Sequence, residues 1–141
     1  MSDIRKGRQV VYSLSAHLVF TTKYRRKAIG PRALEIIGAA CRKVCEDFGA
    51  TLDEFNGEDD HVHLLVSYPP KVALSKLVNS LKGVSSRRVR AANLPEVQAR
   101  LWGGSLWSPS YYAGSTGGAS IEVVKRYICL LYTSPSPRDD R

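Results

Sequence analysis

The run from Asp59 to Val66 constrains the fold more than any other stretch of this sequence. Histidine and aliphatic residues alternate at its start, which predicts a strand, and residues i and i+2 of a strand point to the same face. His61 and His63 should therefore project together, while Val62 and Leu64 point the other way into a core. Two neutral imidazoles aimed at one spot form a partial site for a divalent cation. A plain pair of surface-strand histidines fits the same pattern.

Hydrophobic periodicity predicts the other elements in turn. Residues 10–21 alternate as a half-buried strand, and helical spacing then runs from Pro31 to about Phe48, where Gly49 ends the helix. Further along, the patterns predict two strands, a second amphipathic helix and a fourth strand, at residues 51–56, 61–68, 74–90 and 107–112 respectively.

The order β-α-β-β-α-β predicts an α+β fold of the ferredoxin-like or RRM-like split βαβ type, with an antiparallel sheet and helices on one face. A flexible glycine-rich segment is expected at 114–118. Ser120 would then cap a last helix that begins at Ile121. We expect one domain over residues 1–128 and an atypical, disordered or non-native tail over residues 129–141.

The charge of the chain favours a polyanionic partner. The 141 residues carry a net charge of +8, and the pI is near 9.6. Residues 46–60 are acidic, which is compatible with cation binding, whereas residues 71–100 are strongly basic, which suits a phosphate backbone. Two solvated faces of opposite sign would give the same distribution.

Targeting and cysteine patterns point to the cytoplasm. The first nine residues are polar and charged, unlike a signal peptide, and no apolar run approaches the length of a membrane span. Cys41 and Cys45 lie one helical turn apart without the further ligands of a zinc site. Reduced cysteines in a cytoplasmic protein that does not enter a membrane are therefore expected.

Four segments in order resemble the HUH-class single-tyrosine transposases of the insertion-sequence-200/605 type, a group that includes the REP-associated tyrosine transposases. The resemblance covers roughly residues 8–128. Its segments are Phe20-Thr21-Thr22-Lys23-Tyr24-Arg25, Asp60-His61-Val62-His63-Leu64-Leu65-Val66, Leu106-Trp107-Ser108-Pro109-Ser110-Tyr111-Tyr112 and Val123-Val124-Lys125-Arg126-Tyr127-Ile128.

The resemblance implies a chemistry and a set of residues. His61 and His63 would hold Mg²⁺ or Mn²⁺ at the scissile phosphate, and Tyr127 would attack the phosphorus to give a 5′-phosphotyrosine intermediate. It also implies a homodimer that shares its active sites and acts on single-stranded DNA with hairpin ends. On spacing alone, Tyr127 falls on an apolar helical stripe, where a tyrosine is usually a core residue.

The expected DNA contacts are residues of the basic corner after the first strand and basic residues on the polar side of the second helix. They are Lys23, Tyr24, Arg25, Arg26, Lys82, Arg87 and Arg88, with Tyr24 or the region of Trp107 available for base stacking.

One position departs from the family pattern. The glutamine expected one turn after the tyrosine, which would complete the metal site, is replaced by Leu131. Leucine offers no donor atom to a metal. The alternative function is therefore a catalytically impaired protein that binds single-stranded DNA hairpins.

Overall fold

The computed structural model describes residues 14–101 and 105–115, and the elements below belong to those ranges. A short 3-10 turn at Lys23–Arg25 follows the first strand. The strands and α-helices are β1 (Leu14–Thr22), α1 (Pro31–Asp47), β2 (Thr51–Gly57), β3 (His61–Tyr68), α2 (Leu74–Ala91), α3 (Pro95–Leu101) and β4 (Trp107–Ser115).

The four strands form one sheet in the order β2-β3-β1-β4. Every neighbouring pair is antiparallel. This is the order of a split βαβ fold, so the predicted fold class is confirmed. Residues 10–13 of the predicted first strand and the predicted helix from Ile121 lie outside the described residues.

Helix α1 begins and ends where the sequence predicts. Pro31 occupies the first turn, where its missing N–H costs nothing and its fixed φ suits a helix. Gly49, with φ of +73°, follows the helix in the left-handed region that glycine adopts without strain. Ala33, Ile37 and Val44 lie on the buried side of the helix, at helical spacing.

The core lies between the helices and one face of the sheet. Leu18 and Phe20 of β1 and Val62 and Leu64 of β3 pack there against both long helices, with no more than 1% of each exposed. Burying side chains of this size contributes about 1.5–3 kcal/mol each. The prediction that the residues between and after the two histidines point into a core is confirmed.

Strand β1 differs from its prediction as a half-buried strand. It is central, between β3 and β4, and His17 and Val19 on the face turned away from the helices are also buried. The alternating pattern marks the two faces correctly. It cannot show that the second face is covered as well.

Two further differences concern the C-terminal half of the described chain. Gly114 and Ser115 belong to β4 and pair with His17 and Ala16, so they are not part of a flexible loop. Helix α3 was not predicted, although Pro95 at its first position is a helix-start signal. None of the helices in residues 14–101 and 105–115 is long and apolar enough to cross a membrane.

Candidate active site and nucleic-acid interface

His61 and His63 stand together at the start of β3, on the sheet face opposite the helices. His61 is paired with Thr21 of β1, and His63 lies between Val19 of β1 and Asn56 of β2. The two imidazole rings are nearly parallel, with an interplanar angle of 20° and centroids 6.0 Å apart. Both residues are buried, at 4% and 7% exposure. The predicted projection of both histidines from one face is confirmed.

The carboxylate of Asp60 contacts one of these histidines directly. Its Oδ1 lies 3.0 Å from Nδ1 of His61, and both side chains are buried. The main-chain carbonyl of Asp60 accepts a hydrogen bond from the amide of Thr22 at 2.9 Å. The sequence places Asp60 only within an acidic block beside the histidines, so this contact is a finding of the structure.

The described residues offer a divalent cation two nitrogen donors from one face. No group of three or more His, Cys, Asp or Glu side chains able to hold a metal occurs within residues 14–101 and 105–115. Two imidazoles are an incomplete ligand set, so a bound cation would need further ligands from outside this pair. Of the two expected ions, Mn²⁺ is the better match for nitrogen ligands, because Mg²⁺ prefers oxygen.

A basic corner, Lys23–Arg26, continues β1 beyond the histidine pair. Tyr24 and Arg25 have φ of 59° and 55°, in the left-handed region that is unfavourable for residues with a side chain. The Tyr24 ring is 44% exposed. The Lys23 amine and the Arg26 guanidinium lie 5.6 and 5.3 Å from its centroid, within cation–π range.

Hydrogen bonds from both sides hold the basic corner in place. The Thr22 hydroxyl donates to the carbonyl of Arg26 at 2.7 Å, across the corner. The Arg26 guanidinium donates to the carbonyl of Arg100 at the end of α3, at 3.0 Å. Helix α3, which the sequence patterns did not predict, therefore supports the basic corner through Arg100.

Lys82 has a local partner in the described structure. Its amine donates to the carbonyl of Ser108 at 2.6 Å and lies near the next two carbonyls of β4. It also lies 5.8 and 5.5 Å from the ring centroids of Phe20 and Tyr111. Burial lowers the pKa of Lys82 below its usual value. The amine thus lies beside residues 108–110 of β4. In this stretch the pairing of β4 with β1 shifts register, between Phe20 and Thr22 of β1.

Arg87 and Arg88 are exposed on α2, in the helical layer. The sheet separates this layer from the face that carries the histidine pair. The structure therefore groups the basic corner with the histidines and leaves Arg87 and Arg88 across the sheet from them. Their assignment as DNA contacts remains a prediction.

Trp107 itself is not available for stacking on a base. Its indole is buried, packs edge-on against Phe20 and donates to the Ser85 hydroxyl at 3.0 Å. The Ser85 hydroxyl in turn donates to the carbonyl of Leu81 at 2.6 Å. The expectation of stacking in this region was wrong for Trp107, whose apolar surface serves the core; Tyr111 nearby remains exposed.

Tyr112 of β4 lies near the histidine pair. The sequence predicts it only as a strand residue. It pairs with Val19, which pairs in turn with His63, so these three residues form one row across the sheet. Its hydroxyl lies over Gly114, where any Cβ would collide with it. Strand alternation alone would have placed Tyr112 on this face once the register of β4 was known.

The remaining candidate residues fall into two groups. Tyr127 and Leu131 lie outside the described residues, so their predicted roles rest on the sequence. Cys41 and Cys45 are buried in α1 as free thiols. Burial, together with the neighbouring Cys45, raises the pKa of Cys41 to about 12. Burial, together with Asp53, raises that of Cys45 to about 11, so both thiols are structural.

The fold is shared with solved transposase structures. A crystal structure of a protein from Deinococcus radiodurans R1, described as a candidate transposase, matches with a TM-score of 0.75 and 32% identity, over 88% of this chain and 95% of that one. The REP-associated tyrosine transposase bound to a REP hairpin has a TM-score of 0.57 and 14% identity, over 90% of this chain and 73% of that one. At that identity the second match shows the fold alone.

Curated relatives give the same class from sequence. The ISDra2 transposase TnpA of Deinococcus radiodurans is 33% identical over 126 residues, which cover 89% of each chain. The transposase of insertion sequence element IS200 from Salmonella typhimurium is 28% identical over 123 residues, 87% of this chain and 80% of that protein. The fold and these relatives define a transposase. More narrowly, the chain belongs to the IS200-like transposase family, whose pattern matches residues 10–129.

Proposed function

We propose that this transposase cleaves and rejoins single-stranded DNA through a covalent link to Tyr127, with a divalent cation bound by His61 and His63. The observation that carries the proposal is the junction of β1 and β3. There the imidazoles of His61 and His63, on one face of the sheet, adjoin the basic corner and its exposed Tyr24. Two candidate metal ligands beside groups suited to a nucleic acid support metal-assisted cleavage of a phosphodiester.

The proposed step is a phosphoryl transfer. The Tyr127 hydroxyl loses its proton and its oxygen bonds to phosphorus as the bond to the 3′ oxygen breaks. The 3′ oxygen takes up one proton and leaves as a hydroxyl, so protons balance overall. The bound cation would supply charge neutralisation at the phosphate, which otherwise repels the nucleophile. Because the phosphotyrosine retains a phosphodiester, attack by a new 3′ hydroxyl can rejoin DNA without a nucleotide cofactor.

The chain's own residues account for substrate placement in this proposal. The charges of the basic corner are directed at the phosphate backbone, and the exposed Tyr24 ring is a platform for an unpaired base. Single-stranded DNA with hairpin ends is the proposed substrate. The hairpin named in the REP-associated structure and the insertion-sequence names of the relatives support it. The proposed compartment is the prokaryotic cytoplasm, where such DNA is found.

The first test is a covalent adduct between protein and DNA. Incubation with Mn²⁺ and single-stranded DNA from the regions flanking the gene should give an adduct on a denaturing gel. Tyr127→Phe should abolish it, because the nucleophilic oxygen is gone, while Tyr132→Phe, a nearby tyrosine without a proposed role, should leave it. An adduct that persists in Tyr127→Phe would refute the assignment of the nucleophile.

A homodimer with shared active sites is part of the proposal. If one subunit supplies the histidines and the other supplies Tyr127, a mixture of His63→Ala and Tyr127→Phe proteins should form adduct although neither forms it alone. Sedimentation should show a dimer. A monomer, or a mixture that stays inactive while dimeric, would contradict shared sites.

A second function is favoured by one residue. Leu131 stands where the family pattern has a metal-binding glutamine, so the chain could bind hairpin DNA without cleaving it. A band shift on a native gel without any adduct would indicate this. Rescue of the adduct in Leu131→Gln would then identify an impaired transposase, whereas continued absence of the adduct would identify a binding protein.

A further inference from the structure

We propose that Asp60 is a positioning residue, which holds His61 in the tautomer whose Nε2 lone pair can bind a cation. The inference rests on the proposed metal-binding function of the histidine pair and adds a residue to it. It concerns how His61 is prepared for the metal before any substrate arrives.

The direction of one hydrogen bond determines the tautomer of His61. A carboxylate can only accept, so the 3.0 Å contact between Asp60 Oδ1 and His61 Nδ1 requires the proton on Nδ1. A neutral imidazole carries a single N–H, so Nε2 is left with its lone pair. Metal-binding histidines commonly donate their second ring nitrogen to a carboxylate, which fixes ring orientation and makes the ligand more basic.

Burial makes this contact effective. The side chains of His61 and Asp60 are only 5% and 9% exposed. Water therefore competes weakly for either partner, and a charge-assisted hydrogen bond is stronger in such surroundings than at the surface. Rotation of the imidazole would leave a buried carboxylate short of this donor, which is costly.

The main chain around Asp60 is itself fixed. Its carbonyl accepts from the Thr22 amide at 2.9 Å, and the carbonyl of Asp59 accepts from the Ile29 amide at 2.9 Å. On the other side, the amide of Glu58 donates to the His61 carbonyl at 2.8 Å and closes the turn. The carboxylate is thus presented from a turn tied to β1 and to the segment after the basic corner.

Asp59 provides a matched contrast. It is the adjacent residue with the same charge, but its side chain is 51% exposed and lies 3.8 Å from the Lys27 amine. If Asp60 acted only by adding negative charge near the cation, removal of either carboxylate would have a similar effect. If Asp60 acts through the ring of His61, only its own removal should matter.

The experiment measures Mn²⁺ binding by titration calorimetry, without DNA, in three alanine variants. Asp60→Ala should weaken Mn²⁺ binding by about tenfold or more, Asp59→Ala by less than about twofold, and His63→Ala should remove most of it. Equal losses in Asp59→Ala and Asp60→Ala would overturn positioning in favour of bulk charge. Unchanged binding in Asp60→Ala would overturn it outright.

The histidine variant separates the two levels of the proposal. If His63→Ala weakens binding and Asp60→Ala does not, the metal site stands and the role of Asp60 fails. If neither weakens binding, the metal site itself fails, and the role of Asp60 fails with it.

A spectroscopic readout on the unaltered protein needs no variant to fold. Long-range ¹H–¹⁵N NMR of the histidine rings at about pH 8, where an ordinary imidazole is neutral, reports which nitrogen carries the proton. We expect the Nδ1–H form for His61 in the metal-free protein. The Nε2–H form would overturn the proposal, even if Asp60→Ala proved too unstable to purify.

Discussion

The basic corner and the basic residues of α2 carry similar charge, but only the corner follows a strand that pairs with the histidines. The corner, Lys23–Arg26, continues the strand that pairs with His61, and the Thr22 amide before it donates to the carbonyl of Asp60. The basic residues of α2, which are Lys82, Arg87 and Arg88, belong to the helical layer on the other side of the sheet. The pairing of the strands, rather than the density of charge along the sequence, decides which basic side chains lie next to the histidines.

The two regions also differ in how their backbones are held. Tyr24 and Arg25 adopt positive φ angles, whereas Arg87 and Arg88 sit in a regular helix. A strained backbone conformation costs folding free energy. It is kept only where the surrounding structure enforces it. Such a feature favours a functional role for the corner over a purely solvated one.

Equal removal of charge from each region gives the sharpest test and the largest expected effect. Lys23→Gln with Arg25→Gln should lower affinity for a labelled single-stranded oligonucleotide about a hundredfold at low salt, because two phosphate contacts are lost. Arg87→Gln with Arg88→Gln removes the same charge and should cost less than about tenfold. Fluorescence anisotropy at several salt concentrations measures both, and the corner variant should reduce the salt slope by about 1.4.

The ranking of the two double variants is what matters. A helix variant that loses as much affinity as the corner variant would show that DNA follows α2 instead. The structural grouping of the corner with the histidines would then be incidental to binding.

The second test separates function from stability within the corner. Tyr24→Asn replaces a residue strained at positive φ by one that tolerates this region, so thermal stability should stay level or rise. Affinity for single-stranded DNA should fall about tenfold, since a stacking platform is lost. Tyr68→Phe, on β3 away from the corner, serves as the aromatic control. A Tyr24→Asn protein that binds DNA normally would remove the ring from the interface.

The sequence predicted most of the fold because its patterns are locally complete. The alternation around His61 and the helical spacing that ends at Gly49 were sufficient to place strand and helix limits within one or two residues. Helix α3 was missed because seven residues give too few apolar positions for a helical period, although Pro95 marks its start. The extent of β4 was missed because Gly114 is a weak strand former whose pairing with His17 is a tertiary contact.

The sequence predicts the geometry of the histidine pair but not the contacts around it. Projection of His61 and His63 from one face follows from strand geometry alone, without knowledge of any partner. The contact of Asp60 with His61, and the occupation of Lys82 by main-chain carbonyls, depend on rotamers and on the register of distant strands. Sequence spacing carries no direct record of either.

The variant Lys82→Met tests whether this basic residue of α2 stabilises the fold rather than binding DNA. Lys82→Met keeps the length of the side chain but removes the donor to the Ser108 carbonyl, and should cost about 1.5 kcal/mol in the free energy of unfolding. Lys76→Met, on the same helix but exposed, should cost less than about 0.5 kcal/mol. Urea unfolding measures both. A large loss of DNA affinity with unchanged stability would reverse the assignment.

The pH dependence of the Lys82 comparison has a definite sign. Burial lowers the pKa of Lys82 from 10.5, so between the two values the unfolded chain binds this proton more often than the folded one. The stability of the unaltered protein relative to Lys82→Met should therefore rise as pH increases from neutral towards that value. A flat difference would mean that the amine keeps an ordinary affinity for its proton in the folded state.

Thr22→Val should cost less stability than Lys82→Met, and Thr22 contacts both the basic corner and Asp60. Thr22→Val preserves shape and burial but removes the hydroxyl that donates to the Arg26 carbonyl at 2.7 Å. That carbonyl still accepts from the Ala28 amide at 2.8 Å, so the loss should be only about 1 kcal/mol in urea unfolding. Thr51→Val, exposed on the edge strand β2, should be nearly neutral. The Thr22 hydroxyl also lies 3.3 Å from the Asp60 carbonyl, but the shorter bond from the Thr22 amide, at 2.9 Å, remains in Thr22→Val. Mn²⁺ affinity should therefore survive while DNA affinity falls. A parallel loss of both would show that the corner and the histidine pair form one unit.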